Sequence, residues 1–530
     1  MTCLAWPAHA GMVSVVGTST SQIFPSKSGR GRELRSRSEP LLKTMPRTPS
    51  TARTASSELW REETATLAAL LDAQEITPTQ LLDMYLDRCD RLEPTLNAFA
   101  FLDREGAGKA AAAANERQKA GRRLGPLDGI PVAIKDNIFV KGLPAEWGSL
   151  MLKGFVPEQD DICVERLRAG GAVIIGKTTT PELALSGRTE NRVTGTTRNP
   201  WDPRLTPGGS SGGAVAAVAA GMVPLALGTD AGGSARMPAS YTGLVGLRPS
   251  NGRIPRRYGF PPMALDFQAI GLITRTVRDL ELLFGAISGP DVRDPISLHV
   301  TRPRQRAKPR RLGWFTSVGE DGASSEIVES HAEALRLLEA FGYVVEPCPP
   351  PFDFAEILKI WDTLTAAGAA RAAVRFGDRW KTLATGPIAE LVERGVAVPA
   401  TAYVNALDRL QAFRAETSAR WGEFDALVLP ANPLPAWPVE TNHPTEIDGK
   451  RATPGAQGMF CGWVNAMGYA GLSAPGRPSA DGRPIGIQIV APTGADEVVI
   501  EIAQALENAA PWKDRWPPLA TATPQGAPDD

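Results

Sequence analysis

Apolar residues recur along the chain at two spacings that take turns. Leu81, Leu82, Tyr85, Leu86, Cys89 and Leu92 fall on one stripe of a 3.6-residue period. Thr77-Pro78-Thr79-Gln80 just ahead of them has the order of a capping box, with Pro at the first helical position, so a helix is predicted to start there. An Ala-rich stretch over residues 103–122 predicts a second helix, which Gly125-Pro126 breaks. Pro131–Ile134, Ala172–Ile175 and Val223–Leu227 are short unbroken apolar runs bounded by Gly or polar residues, the pattern of strands buried on both faces. Further on, Leu312–Phe315, Tyr343–Val345, Ala426–Leu429 and Gly486–Val490 predict strands, Glu326–Phe341 an amphipathic helix, and residues 353–421 a mostly helical stretch. This alternation predicts an α/β fold with a largely parallel or mixed central sheet covered by helices on both faces. No internal repeat is present, and one large domain from about residue 57 to 512 is preferred to three separate ones.

The ends break the pattern. Residues 1–56 are rich in Ser, Thr, Arg and Pro and lack sustained periodicity, so they are expected to be a disordered extension. An extended or misassigned start, with Met45 as initiator, is preferred there to a transit peptide, and no basic n-region marks a signal peptide. The Pro- and Ala-rich tail, residues 513–530, is expected to be loose.

Composition narrows the class. Of 530 residues 43% are hydrophobic and 22% charged, which suits a globular protein with a large core. Lys and Arg number 57 against 58 Asp and Glu, so no global basic field draws in nucleic acid. Residues 1–55 nonetheless hold eight basic and two acidic side chains, a net of +6, which leaves -7 for the rest. The five cysteines lie far apart without CxxC or Cys/His metal spacing, so reduced thiols in a cytoplasmic protein are the simpler reading. HExxH is absent among only four histidines, and no apolar run reaches the ~18 residues that span a bilayer.

Two motifs mislead. Gly171-Ala-Val-Ile-Ile-Gly176-Lys177-Thr178 matches the P-loop letters, but a phosphate cradle needs several inward N–H groups and Ala-Val-Ile-Ile favours a strand. Gly208-Gly209-Ser210-Ser211-Gly212 satisfies G-x-S-x-G, yet Pro203-Arg204-Leu205-Thr206-Pro207 cannot supply the strand that a nucleophile elbow requires. Only His443 follows plausible acids, in a polar Asn442-His443-Pro444 loop, which makes a Ser-His-Asp enzyme a weak reading.

Three other segments carry chemistry. Gly129-Ile-Pro-Val-Ala-Ile-Lys135-Asp136-Asn137 sets a Lys at the end of an apolar strand, either a snorkelling charge or a desolvated amine able to act as a base. Thr206-Pro207-Gly208-Gly209-Ser210-Ser211-Gly212-Gly213 runs into the Ala-rich Ala214–Ala220, which argues for an anchored loop over a linker. Gly228-Thr229-Asp230-Ala231-Gly232-Gly233-Ser234-Ala235-Arg236 sets a Ser behind two glycines, where successive N–H groups can converge as in an oxyanion hole. Lys135, Ser210 and Ser234, in that order and 75 and 24 residues apart, resemble the amidase signature family. The likeness runs from about residue 57 to 512 and is strongest over 125–255. It takes in Gly195-Thr-Thr-Arg-Asn-Pro-Trp-Asp-Pro203, Gly243-Leu-Val-Gly-Leu-Arg-Pro249 and Arg483-Pro-Ile-Gly-Ile-Gln-Ile-Val490.

The resemblance implies Ser234 as nucleophile, Ser210 as bridging serine after a cis peptide bond at Gly209–Ser210, and Lys135 as base. It implies an oxyanion hole from the backbone N–H groups of Ala231, Gly232, Gly233 and Ser234, substrate contact at Ala184, and support from Ser211, Asp230 and Arg236. Ala235 and Met237 stand where the family often has Ile, so packing around the nucleophile is expected to differ. Residues 290–460 would form the variable substrate region, where Trp361 and Trp380 are candidates to cap an acyl or aryl pocket, although tryptophans in such a place are more often core residues. No metal or organic cofactor is implied. The expected function is hydrolysis of a small amide of acyl, aryl or carbamate type, by a protein that binds neither nucleic acid nor membrane and for which a homodimer is left open. The alternatives are a glutaminase-like A subunit of a tRNA-dependent amidotransferase and a catalytically silent binding or scaffold protein on the same fold.

Overall fold

The computed structural model describes residues 56–300 and 310–522. The expected disorder of the first 55 residues and the end of the tail, 523–530, therefore lie outside the described residues. At the centre is an 11-stranded sheet. Across it, in spatial order, lie Phe99–Leu102, Val173–Thr178, Pro131–Lys135, Leu225–Asp230, Ala269–Thr274, Val245–Arg248, Ala470–Pro475, Gly486–Ala491, Ala426–Pro430, Arg311–Trp314 and Val344–Pro347. The sheet is mixed: Pro131–Lys135 pairs in parallel with both Val173–Thr178 and Leu225–Asp230, while Leu225–Asp230 runs antiparallel to Ala269–Thr274. Helices cover it, and the apolar runs of the inner strands are buried because both faces are packed, whereas the edge strands Phe99–Leu102 and Val344–Pro347 are partly exposed.

The predicted elements fall close to where the pattern sets them. The first long helix spans Pro78–Leu96, and Thr77 caps it with both arms of the capping box made to Gln80. The P-loop look-alike is the Val173–Thr178 strand, and Lys177 is buried at its end with its amine on the backbone carbonyls of Asp136, Ile138 and Pro144. That amine is spent on the protein's own backbone, which suits a strand and not a phosphate cradle. Among the described residues no helix is long and apolar enough to cross a membrane.

The tail needs a correction. Residues 513–522, expected to be loose, pack against the body: Trp516 meets Trp60 edge-on at 4.5 Å between centroids, and the Arg275 guanidinium lies 3.4 Å over the Trp516 ring. Ala520 is buried and its carbonyl accepts from Arg88. Aromatic rings inside a Pro-rich stretch supply enough apolar and cation–π contact to hold it down.

Candidate active site

Strand polarity gathers the site. Pro131–Lys135 and Leu225–Asp230 are parallel neighbours with Val132 opposite Leu225 and Ile134 opposite Leu227, so their C-terminal ends emerge side by side. Lys135 closes the first strand and Thr229-Asp230 close the second. Open parallel sheets place ligands at such strand ends. Ser210 and Ser211 lead into the helix Gly212–Ala219, whose residues are all small or apolar and all buried, so the Gly/Ser loop is anchored as its sequence suggests. The Gly209–Ser210 peptide bond is cis.

Lys135 is fully buried and its amine meets three hydroxyls: Ser210 Oγ at 2.9 Å, Ser211 Oγ at 3.0 Å and Thr229 Oγ1 at 3.0 Å. Asn137 in turn donates through Nδ2 to Thr229 Oγ1 at 3.0 Å. Burial disfavours the charged amine and brings the Lys135 pKa down to about 7, although Asp230 and Asp136 pull the other way. Thr229 and Asn137 were not picked out from the sequence, yet both stand in the segments quoted for other residues. Asn137 lies in the turn that follows the strand, where the Ile138 N–H donates to the Lys135 carbonyl at 3.0 Å.

The turn after Asp230 is held from below. The Asp230 carboxylate accepts from the backbone N–H groups of Gly233 and Ala235 at 2.8 and 3.1 Å and from Arg236 Nε and Nη2 at 3.0 and 2.9 Å. Burial alone would raise its pKa, but the Arg236 charge and hydrogen bonds, with Asn465, outweigh this and hold the carboxyl well below the usual carboxylate range. Arg236 is itself fully buried and also donates to Gln488 Oε1 at 2.6 Å and Asn465 Oδ1 at 2.5 Å. Gly233 has φ +112°, and a Cβ there would stand 2.6 Å from that of Cys461, so only glycine fits the turn. Of the four amides expected to meet an oxyanion, that of Gly233 donates to Asp230.

Ser210, Ser234, Ala231, Gly232 and Ala184 all line one cavity of about 400 Å³. Ala184 enters it with φ +58°. Trp361 and Met237 line it as well. Trp380 is a buried residue away from it. His443 lies at the same cavity, but the side chain that hydrogen-bonds Ser210 is the Lys135 amine.

Comparison with known proteins places the chain in a family. The Amidase family model matches residues 80–500. The glutamyl-tRNA(Gln) amidotransferase A subunit of Acidothermus cellulolyticus is 35% identical over 490 residues, 86% of this chain and 95% of that one. Among solved structures, a bacterial aryl acylamidase of the amidase signature family superposes with a TM-score of 0.79 at 26% identity, over 88% of this chain and 99% of that one. The 6-aminohexanoate cyclic dimer hydrolase does so with a TM-score of 0.77 at 29% identity, over 87% and 99%. Fold and likeness together define the class, a hydrolase that acts on carbon–nitrogen bonds. The chain belongs to the Amidase family, that of the amidase signature enzymes.

Proposed function

We propose that this enzyme hydrolyses the C–N bond of a small uncharged amide through an acyl-enzyme on Ser234. The observation that carries the reading is the cavity wall, which is apolar with a few amide and hydroxyl groups and the His443 imidazole and contains, among the described residues, no Asp, Glu, Lys or Arg. A charged substrate buried there would be left without a counter-charge, at considerable cost. We place the amidase domain from residue 57 through residue 522, since the start of the tail packs on it.

In this mechanism the hydrogen bonds around Lys135 aim its lone pair. A neutral amine has two N–H donors and one lone pair. The Ser211 hydroxyl donates to the Thr229 carbonyl at 3.2 Å, so its oxygen is left to accept from the amine. Thr229 Oγ1, paired with the Asn137 amide, takes the second N–H. The lone pair is left facing Ser210. Ser234 Oγ attacks the carbonyl carbon while its proton passes to Ser210 and the Ser210 proton passes to Lys135. The amides of Ala231, Gly232 and Ser234 hold the oxyanion, and loss of one such donor typically costs about 10²–10³ in rate. Collapse of the intermediate sends the proton back to the leaving amine, and water then cleaves the ester by the same relay.

The base must be neutral to work, so kcat/KM is expected to rise with pH through about 7 and level off above it. A pH–rate profile that is flat across this range contradicts Lys135 as the base.

A second reading is favoured by the sequence comparisons over the first. The curated relatives include A subunits of glutamyl-tRNA(Gln) amidotransferases at 32–35% identity, which points to a glutaminase-like protein that works with other subunits. The two readings separate on substrate. Free glutamine is a zwitterion, and under the first reading it is a poor substrate beside neutral aryl or alkyl amides. Ammonia release from glutamine with a kcat/KM above that for a panel of neutral amides assigns the second reading instead.

A further inference from the structure

We propose that Trp361 determines which acyl groups the enzyme accepts, admitting flat or unbranched ones and excluding those branched beside the carbonyl. This inference rests on the reading of the cavity as the site of amide hydrolysis at Ser234. The helix Phe354–Ala369 presents Phe354, Ile357, Leu358, Trp361 and Thr365 to the cavity, a row at the spacing of one helix face. Within that row Trp361 reaches the turn that carries the nucleophile. A Cβ built on Gly232 would lie 3.0 Å from Trp361 Cη2 and 3.4 Å from Cζ2, so the benzo edge of the indole already fills the space above that glycine.

Gly232 is one of the three amides left for the oxyanion and stands two residues from Ser234. A carbonyl seated there must place its substituent beside the indole edge. A planar aryl group or a straight chain slides along a flat wall, whereas methyl groups on the α-carbon collide with it.

The wall is also rigid. Trp361 packs on the buried Phe267 with ring centroids 5.5 Å apart. One helical turn beyond the cavity, Gly368 lies so near the Met263 backbone that an added Cβ would stand 1.9 Å from its carbonyl oxygen. Arg371 then ties the end of the helix to the Pro262 carbonyl at 2.6 Å. A side chain held by packing and by a fixed helix discriminates by shape instead of yielding to the substrate.

The test compares p-nitroanilides that share a leaving group and differ only in the acyl part: butyryl, benzoyl and pivaloyl. The quantity read is the ratio of kcat/KM for pivaloyl to that for butyryl, in the wild type, Trp361→Ala and Trp361→Phe. Shape discrimination of this kind is worth about 10–200-fold. Trp361→Ala is expected to raise the ratio by about tenfold or more, with Trp361→Phe between it and the wild type. Labelling of Ser234 by a fluorophosphonate reports that each variant keeps an intact site. A ratio unchanged in both variants, with turnover retained, overturns the role of Trp361 and leaves the amidase reading standing. Wild-type protein that cleaves none of the anilides overturns that reading, and this inference with it.

Discussion

Ser234→Ala is expected to lower amide hydrolysis by a factor on the order of 10⁶, to the background left by binding and the oxyanion donors. The effect is large because the acyl-enzyme cannot form without the hydroxyl. The fold is expected to survive, since Ser234 faces the cavity and the turn around it is fixed by Asp230 through neighbouring amides. Lys135→Met has the same direction with a smaller loss, about 10²–10⁴, the usual worth of a positioned base. Its Tm should not fall, because the substitution removes an amine that burial already disfavours. Loss of rate with unchanged Tm and unchanged far-UV dichroism checks both variants. A Ser234→Ala protein that retains turnover on a good substrate contradicts the assignment.

The second large effect is on stability. In Arg236→Met the Asp230 carboxylate stays in the core and loses the guanidinium that holds it, a change that costs about 3–5 kcal/mol when a fully buried pair is broken. Urea denaturation should show a lower midpoint with the same m-value. The sign with pH follows from the depressed carboxyl. In the wild type, Asp230 contributes stability above its unfolded pKa of about 4 and loses it as pH falls through the lower folded value. In the variant, burial without Arg236 pushes the carboxyl up, so the deficit is largest near neutral pH and shrinks in acid. A midpoint that does not move contradicts the view that this pair supports the nucleophile turn.

The parts of the fold that were legible in the sequence are those where one signal dominates. Val132, Ile134, Leu225 and Leu227 sit in unbroken apolar runs, and these are the strands that carry the site. Thr77 and Gln80 announce a helix start and make it. The strands Val245–Arg248 and Ala470–Pro475 were missed because Gly, Ser and Pro in them read as loop. Their small residues serve packing instead: a Cβ on Gly246 would meet Ala239 Cβ at 2.6 Å, and one on Gly471 would meet Arg236 Cδ at 3.1 Å, so the helix that holds Arg236 can press onto the sheet.

The site divides in the same way. Ser210 and Ser234 stand in motifs rich enough in Gly and Ser to be noticed, Lys135 ends an apolar strand, and the fold brings all three to one place. Asn465 and Gln488 lie more than 220 residues from Arg236 in sequence, and nothing local to them announces a hydrogen bond to its guanidinium. The commitment of the Gly233 amide to Asp230 was equally hidden, since glycines permit a turn without specifying which way each N–H points.

The proposed chemistry depends on Ser234 being an activated nucleophile. The most direct test is intact-protein mass spectrometry after exposure to a fluorophosphonate, with Ser234→Ala and Lys135→Met alongside. One adduct is expected on the wild type, mapped to the peptide that contains Ser234, absent from Ser234→Ala and strongly slowed in Lys135→Met. An adduct that persists in Ser234→Ala, or none on the wild type with several reactive probes, contradicts it.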